Sequence, residues 1–280
     1  MAAEMSGKLI VVGTPIGNLS DFSPRAREAL EQADFIAAED TRVTRKLLNH
    51  CGIHKPMVSY YEHNKYGRGP ALCERMEAGE TCALVSDAGM PAISDPGELL
   101  VAQCAEREIP VTVVPGPCAA VSALAVSGLP TGRFTFEGFL SVEKKSRREH
   151  LEEVRRERRT MIFYEAPHKL AATLSDMLQA WGNRRIALVR ELTKIHEEVI
   201  RTTLSEACER YKDGGAKGEF VLIVEGAPPE TVPACKEEDA VSMARALMEK
   251  GLSASEAAKR AAAETGLKKN GIYRELTKEK

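Results

Sequence analysis

The sequence has no apolar run long enough to cross a membrane, no paired-cysteine motif and little net charge. Its longest nearly uncharged apolar stretch, residues 118–130, is shorter than the ~20 residues that a membrane-spanning helix needs. Seven cysteines stand at irregular spacing without a C-x-x-C pair, which favours reduced thiols in a cytoplasmic protein over a zinc site or a disulfide framework. The formal net charge is −2, so a surface that binds a polyanion has to be local.

Three common catalytic motifs are also missing. Gly13 and Gly17 follow the first predicted strand without forming G-x-G-x-x-G, and neither G-x-x-x-x-G-K-[ST] nor G-x-S-x-G occurs. These absences exclude a dinucleotide fingerprint, a P-loop and a nucleophile elbow.

An early Glu4 argues against a secretory signal peptide. At about 100–200 residues per domain, a chain of 280 residues predicts two domains with room for a small third piece.

Short β-branched runs alternate with helical patterns over the first two-thirds of the chain, which is typical of an α/β fold with a largely parallel sheet. Ser23 and Pro24 open the first helix as its N-cap and first helical residue. The predicted strands are residues 9–13, 34–40, 82–87, 111–116, 134–140, 161–166, 184–192 and 219–226. We expect two α/β domains, at residues 7–117 and 118–228.

The last part of the chain has a different pattern. After a proline-containing linker at 227–233, residues 236–280 are alanine-rich and charged and show no strand pattern. Ser253 and Glu256 have the spacing of a capping box, and a glycine turn leads to a further helix. Seven basic residues stand against three acidic ones in residues 259–280. The pattern resembles a helix-turn-helix with a basic second helix, and a dimerising or capping helical pair is the alternative.

Four loops rich in glycine, proline and acidic residues follow four of the predicted strands. They are residues 13–18, 39–42, 86–97 and 115–120. Ligands of open parallel sheets bind outside the carboxyl ends of the strands, so these loops are expected to converge on a ligand site. Their prolines favour a preformed site for a compact ligand that contacts backbone amides and carbonyls.

Six ordered motifs carry a family resemblance: GTPIGNLSD, AAEDTR, SDAGMPAISDPG, PGPCAA, FYEAPHKL and RELTKIHEE. They resemble the tetrapyrrole methylase superfamily, and more narrowly its ribosomal RNA small subunit methyltransferase I family. The resemblance runs from about Lys8 to Gly226. It implies two α/β domains with S-adenosylmethionine (SAM) in the cleft between them, and a homodimer. It also implies 2′-O-methylation of a cytidine ribose in the decoding region of 16S rRNA, in the small ribosomal subunit.

The same resemblance implies a set of cofactor contacts and no metal. The loop after the third predicted strand would hold the methionine or ribose part of SAM, and small residues at the start of the helix predicted at 119–127 would let the cofactor approach the backbone. The implied cofactor-binding residues are Pro15, Ser86, Asp87, Ala88, Gly89, Cys118, Ala119, Tyr164 and Glu165.

Methyl transfer to a ribose hydroxyl depends on positioning, which contributes roughly 7–11 kcal/mol, and on a base, which contributes about 10²–10⁴-fold. Two acidic–basic motifs are expected to form the acceptor side of the site. The catalytic candidates are Glu39, Asp40, Arg42, Glu191 and Lys194. The alternative is that these charged residues form interdomain salt bridges and helix caps.

The sequence leaves open the role of a second basic stretch and two alternative functions. Residues 141–159 hold eight basic residues against five glutamates, which predicts either an RNA grip or a solvated helix with Glu–Arg pairs. A small-molecule methyltransferase acting on a porphyrinoid is the main alternative function, and a non-catalytic RNA-binding protein is the third. The dense loop motifs favour an enzyme, and the basic stretches favour an RNA substrate.

Overall fold

A computed structural model describes residues 7–229 and 237–277. The chain forms two units, Met1–Ala227 and Pro228–Lys280. Most of the linker expected at 227–233 lies outside the described residues. The division of the first unit into domains at residues 117 and 118 stays a prediction.

The first sheet of the larger unit is entirely parallel, as expected. Its strands are β1 (Lys8–Val12), β2 (Phe35–Ala38), β3 (Met57–Ser59), β4 (Thr81–Val85) and β5 (Val111–Val114), in the order β3-β2-β4-β1-β5. Parallel sheets are normally covered on both faces. Here Leu9, Phe35 and Leu84 pack on one face, and Ile10 and Ile36 pack on the other.

Helices follow these strands, one after each. They are α1 (Pro24–Gln32), α2 (Thr41–Cys51), α3 (Lys65–Glu77), α4 (Gly97–Glu106) and α5 (Ala119–Val126). The predicted start of α1 is confirmed, since Pro24 is its first residue and the Ser23 hydroxyl accepts the Ala26 N–H at 3.1 Å.

The second sheet is mixed, so the expected parallel pattern holds only for the first. Its strands are β6 (Phe134–Phe139), β7 (Thr160–Glu165), β8 (Arg185–Arg190), β9 (Glu198–Thr203) and β10 (Phe220–Val224). The order is β6-β7-β10-β8-β9, and only β6 and β7 run parallel. The helices of this part are α6 (Lys144–Glu153), α7 (Leu170–Trp181) and α8 (Leu204–Tyr211).

The smaller unit contains the helices α9 (Glu237–Glu249), α10 (Ala254–Thr265) and α11 (Lys269–Thr277). The predicted capping box is confirmed: the Ser253 side chain and the Glu256 side chain each accept the other's backbone N–H. Gly266 ends α10 with a left-handed φ of 72°. The core is made of small side chains: Ala240, Ala244, Ala257, Ala258, Ala261 and Ile272. In the described part of the chain, no helix is long and apolar enough to cross a membrane.

Candidate active site at the junction of the two sheets

The loops after β1, β4 and β5 meet through their backbones. Thr14 and Gly89 exchange two backbone hydrogen bonds, at 2.9 and 3.1 Å, and Pro15 is the next, half-buried residue of the β1 loop. A Cβ built on Gly13 would lie 2.6 Å from the Cα of Gly116, so this close approach requires glycine. The predicted convergence of these loops at the carboxyl edge of the sheet is therefore confirmed.

The loop after β2 joins them through Asp87. The Asp87 carboxylate accepts the backbone N–H of Asp40 at 2.9 Å, and the Asp87 N–H donates to the Glu39 carboxylate at 3.4 Å. Ser86 is buried and its hydroxyl donates to the carbonyl of Ala88 at 3.3 Å. Four loops thus form one connected edge, with the side chain of Asp87 exposed at its surface.

The start of α5 is tied to the second sheet by Tyr164. The Tyr164 hydroxyl accepts the N–H of Ala120 at 3.1 Å, and burial raises the pKa of Tyr164 to about 12, which keeps the phenol neutral. Cys118 and Ala119 precede this contact and are half-buried. The Cys118 side chain makes no capping hydrogen bond to α5. These small side chains and Tyr164 therefore stand together, and their contact with a cofactor stays a prediction.

Glu165 is directed elsewhere. Its carboxylate accepts hydrogen bonds from the Thr173 hydroxyl at 2.5 Å and the Ala166 N–H at 2.8 Å, and it pairs with Lys169 at 3.3 Å. Successive residues of a strand face opposite sides of the sheet, so Glu165 points toward α7 while Tyr164 points toward α5. The Glu165 side chain therefore holds the turn between β7 and α7.

Of the acceptor candidates after β2, Asp40 and Arg42 pair locally. The Asp40 carboxylate accepts the Arg42 N–H at 2.8 Å and its guanidinium at 2.6 Å, and these bonds lower the pKa of Asp40 to about 2. Glu39 is different. Burial raises the pKa of the half-buried Glu39 carboxyl, and the neighbouring Asp87 and Asp95 carboxylates add to the rise. Glu39 is thus the stronger base of this group.

Glu191 and Lys194 form an ion-paired loop after β8. The Lys194 ammonium lies 2.9 Å from the Glu191 carboxylate and 2.8 Å from Glu219. The hydrogen bond from Lys194 lowers the pKa of Glu191. Burial by itself would lower the pKa of Lys194, but the hydrogen bonds to Glu191 and Glu219 outweigh burial and raise it. A Cβ built on Gly17 would lie 2.5 Å from the Lys194 Cγ, so this loop contacts the loop after β1.

A second contact joins the two sheets at the end of the β4–α4 loop. A Cβ built on Gly138, in β6, would lie 3.0 Å from the Ser94 hydroxyl oxygen. Ala92 and Ser94 have left-handed φ values of 64° and 57°, and the Asp95 carboxylate stabilises the loop by accepting the N–H groups of Ala92 and Gly97. Such strained residues cluster at functional sites.

Sequence reasoning missed two contributors to the junction. The Met90 sulfur accepts the N–H of Gly116 at 3.2 Å, and Gly138 contacts the β4–α4 loop. The methionine had no distinguishing signal. A glycine inside a strand pattern does indicate a bulge or a close backbone approach, so the position of Gly138 was a usable signal.

The basic stretch at 141–159 is largely occupied by ion pairs. Arg147 is buried, with its guanidinium 2.7 Å from the Asp176 carboxylate, and Arg148 also reaches Asp176 at 3.3 Å. Three further cations pair with nearby glutamates: Lys145 with Glu149, Arg155 with Glu152 and Arg159 with Glu157. The structure favours the ion-paired helix here. Among the described residues, no group of three His, Cys, Asp or Glu side chains could hold a metal ion.

Comparison with known proteins identifies the family. The family model of tetrapyrrole (corrin/porphyrin) methylases matches residues 8–208. The chain belongs to the tetrapyrrole methylase family. Family membership confirms the resemblance seen in the six motifs and the α/β fold class.

Two curated relatives of this tetrapyrrole methylase share one name, Ribosomal RNA small subunit methyltransferase I. The protein from Synechocystis sp. is 48% identical over 268 residues, which is 95% of this chain and 96% of the relative. The protein from Thermotoga maritima is 46% identical over 220 residues, which is 79% of this chain and 99% of the relative. Among solved structures, uroporphyrin III C-methyl transferase from Thermus thermophilus has a TM-score of 0.57 at 17% identity. That match covers 78% of this chain and 97% of the other, and it shows the fold.

Proposed function

We propose that this enzyme transfers a methyl group from SAM to the 2′-oxygen of a cytidine ribose in 16S rRNA, in the decoding region of the small subunit. The observation that carries the proposal is the 48% identity, over 95% of the chain, to a protein named Ribosomal RNA small subunit methyltransferase I. A porphyrinoid substrate has weaker support, because the uroporphyrin enzyme is only 17% identical and shares the fold alone.

SAM binds where the loops after β1, β4 and β5 meet. The junction fits a compact cofactor because Gly13 and Gly116 let the loops after β1 and β5 approach each other closely, and the half-buried Cys118 that follows is small. The exposed Asp87 carboxylate suits the positive charge of SAM. The proposed cofactor contacts are Pro15, Ser86, Asp87, Ala88, Gly89, Cys118, Ala119 and Tyr164; Glu165 holds the turn behind them.

The bound cofactor supplies a methyl group activated by its sulfonium. Glu39 accepts the proton of the ribose 2′-hydroxyl, since it is half-buried at this edge and its pKa is raised by burial. Arg42 is 87% exposed beyond its pairing with Asp40, and it contacts RNA phosphate. Lys194 and Glu191 hold the β8 loop against the β1 loop, which fixes the distance between the two sides of the site.

The decisive experiment measures methyl transfer from labelled SAM. Small subunits, free rRNA and uroporphyrinogen are offered separately, and nucleoside digestion locates the label. We expect a cytidine methylated on its ribose. Label in uroporphyrinogen alone would overturn the proposal.

The acceptor assignment has its own test in two alanine variants, at Arg42 and Lys194. Each should reduce methyl transfer at least tenfold, with little change in SAM affinity, because neither is placed against the cofactor. Near-normal turnover, or joint loss of folding and SAM binding, would show that these residues are purely structural.

The protein acts as a homodimer in the cytoplasm. Exposed apolar side chains support the dimer: Val113 on the edge strand β5 is 53% exposed, and Val121 on α5 is 54% exposed. Buried Cys73 and Cys104 are both free thiols, as expected in a reducing compartment. Light scattering tests the dimer, and a monomer in solution would refute it.

A further inference from the structure

Strand β6 has one residue more than the stretch of β7 that pairs with it, residues 160–164. Phe136 pairs with Ile162 and Gly138 pairs with Phe163, so Glu137 has no partner on β7. Gly138 has a left-handed φ of 65°, which glycine adopts readily. This is a β-bulge, a feature that redirects side chains and is frequent beside active sites.

The bulge changes the direction of Phe139. In a regular strand, residues three apart face opposite sides. Here Phe136 and Phe139 both contact Tyr164, with ring centroids 5.1 and 5.3 Å from the tyrosine ring. Glu137 faces the other side, where its carboxylate lies 3.1 Å from the His150 ring nitrogen on α6. The extra residue therefore turns Phe139 to the side that carries Tyr164 and α5.

Phe139 is nevertheless poorly covered. The face of the sheet to which Phe139 turns packs on a buried core, yet Phe139 itself is 57% exposed. The Lys169 ammonium lies 5.8 Å from its ring centroid, and the adjacent Gly138 contacts Ser94 at the end of the β4–α4 loop. An exposed aromatic ring next to the proposed cofactor loop has the chemistry that binds an unpaired nucleobase by stacking.

We propose that Phe139 is a stacking platform for an unstacked nucleobase of the RNA substrate, beside the site of methyl transfer. The proposal rests on the proposed function, because it assigns this ring to the RNA of that reaction. Every base has a π-face, so the platform positions the strand and does not select a sequence. The Lys169 ammonium beside the ring is paired with Glu165, so the contact that the platform offers to RNA is the ring itself.

The test compares substitutions that separate stacking from packing. Phe139→Leu keeps an apolar side chain without a π-face, Phe139→Ala removes the bulk, and Phe139→Trp keeps a ring. Phe134→Leu is the matched control, since Phe134 is 41% exposed at the opposite end of the same strand. Each protein is assayed for equilibrium binding of small subunits, for KM and kcat with subunits, and for SAM affinity.

We expect the leucine and alanine variants at position 139 to bind subunits about tenfold more weakly, with a matching rise in KM. The tryptophan variant and the control at position 134 should behave as wild type, and SAM affinity should be the same in all. Stacking is refuted if Phe139→Leu binds subunits as tightly as wild type, or if Phe139→Trp is as weak as Phe139→Ala.

Two further outcomes keep this proposal distinct from others. If Phe139→Ala changes the oligomeric state in light scattering, the ring belongs to a contact between copies and the platform is overturned. If wild-type enzyme binds subunits but methylates none, the proposed function fails. The binding series at position 139 still decides whether the ring contacts RNA.

Discussion

Removal of the Asp87 carboxylate should weaken SAM binding, because this group links two of the four loops. It accepts the Asp40 N–H at 2.9 Å, across the gap between the loops after β2 and β4. A hydrogen bond to a charged group contributes about 1.5–3 kcal/mol, and an exposed site such as this one belongs at the lower end. Since ~1.4 kcal/mol is a factor of ten, Asp87→Ala should raise the Kd of SAM about tenfold.

Asp87→Asn provides the matched control. The amide keeps an oxygen that can accept the Asp40 N–H, but it loses the negative charge that suits the sulfonium. Calorimetric titration of SAM into each variant, with thermal unfolding as the check on folding, separates these two contributions. If linkage of the loops dominates, the asparagine variant retains most of the affinity. If Asp87→Ala folds and binds SAM as tightly as wild type, the loop junction does not bind the cofactor.

Three other changes test the remaining assignments. Glu39→Gln should lower kcat about 10²-fold or more while SAM affinity stays constant; unchanged kcat would exclude Glu39 as the base. Because burial raises the pKa of folded Glu39, wild-type stability should fall as pH rises from the unfolded to the folded pKa; the Glu39→Gln variant should lack that fall in denaturant titrations at several pH values. Deleting residues 236–280 should preserve SAM binding but weaken subunit binding and its salt dependence, and an unchanged salt slope would make the tail structural. Asp176→Ala should lower the free energy of unfolding by about 3–5 kcal/mol, because it leaves Arg147 buried and unpaired; a urea titration without that loss would contradict the buried pair.

Local signals explain which parts of the fold were predictable. The caps at Ser23 and Ser253 are short-range patterns, and both helices begin where those residues predict. The strands β3 and β9 were missed because both lie at sheet edges and are only partly buried, without a clear apolar alternation. The mixed strand directions of the second sheet were not predicted either, since a strand's direction depends on connections that its own residues do not encode.

The candidate site divides in the same way. The meeting of the loops follows from parallel topology, so the motif positions were sufficient to predict it. The directions of individual side chains could not be predicted in this way, because they depend on strand register and on partner residues elsewhere in the chain. Asp40 and Arg42 pair with each other, Glu165 faces α7, and Phe139 turns toward Tyr164 only because β6 holds an extra residue.

The two units of the chain have separable parts in the proposed reaction. The Thermotoga maritima relative is matched over 99% of its own length by 79% of this chain, which leaves about one fifth of this chain outside the match. The C-terminal unit, Pro228–Lys280, has that share of the chain and its own alanine-rich core. Every proposed cofactor and acceptor residue, and Phe139, lies in the other unit. The C-terminal unit should therefore add affinity for RNA to a site that is complete without it. Its removal should raise KM for subunits and leave kcat near the wild-type value.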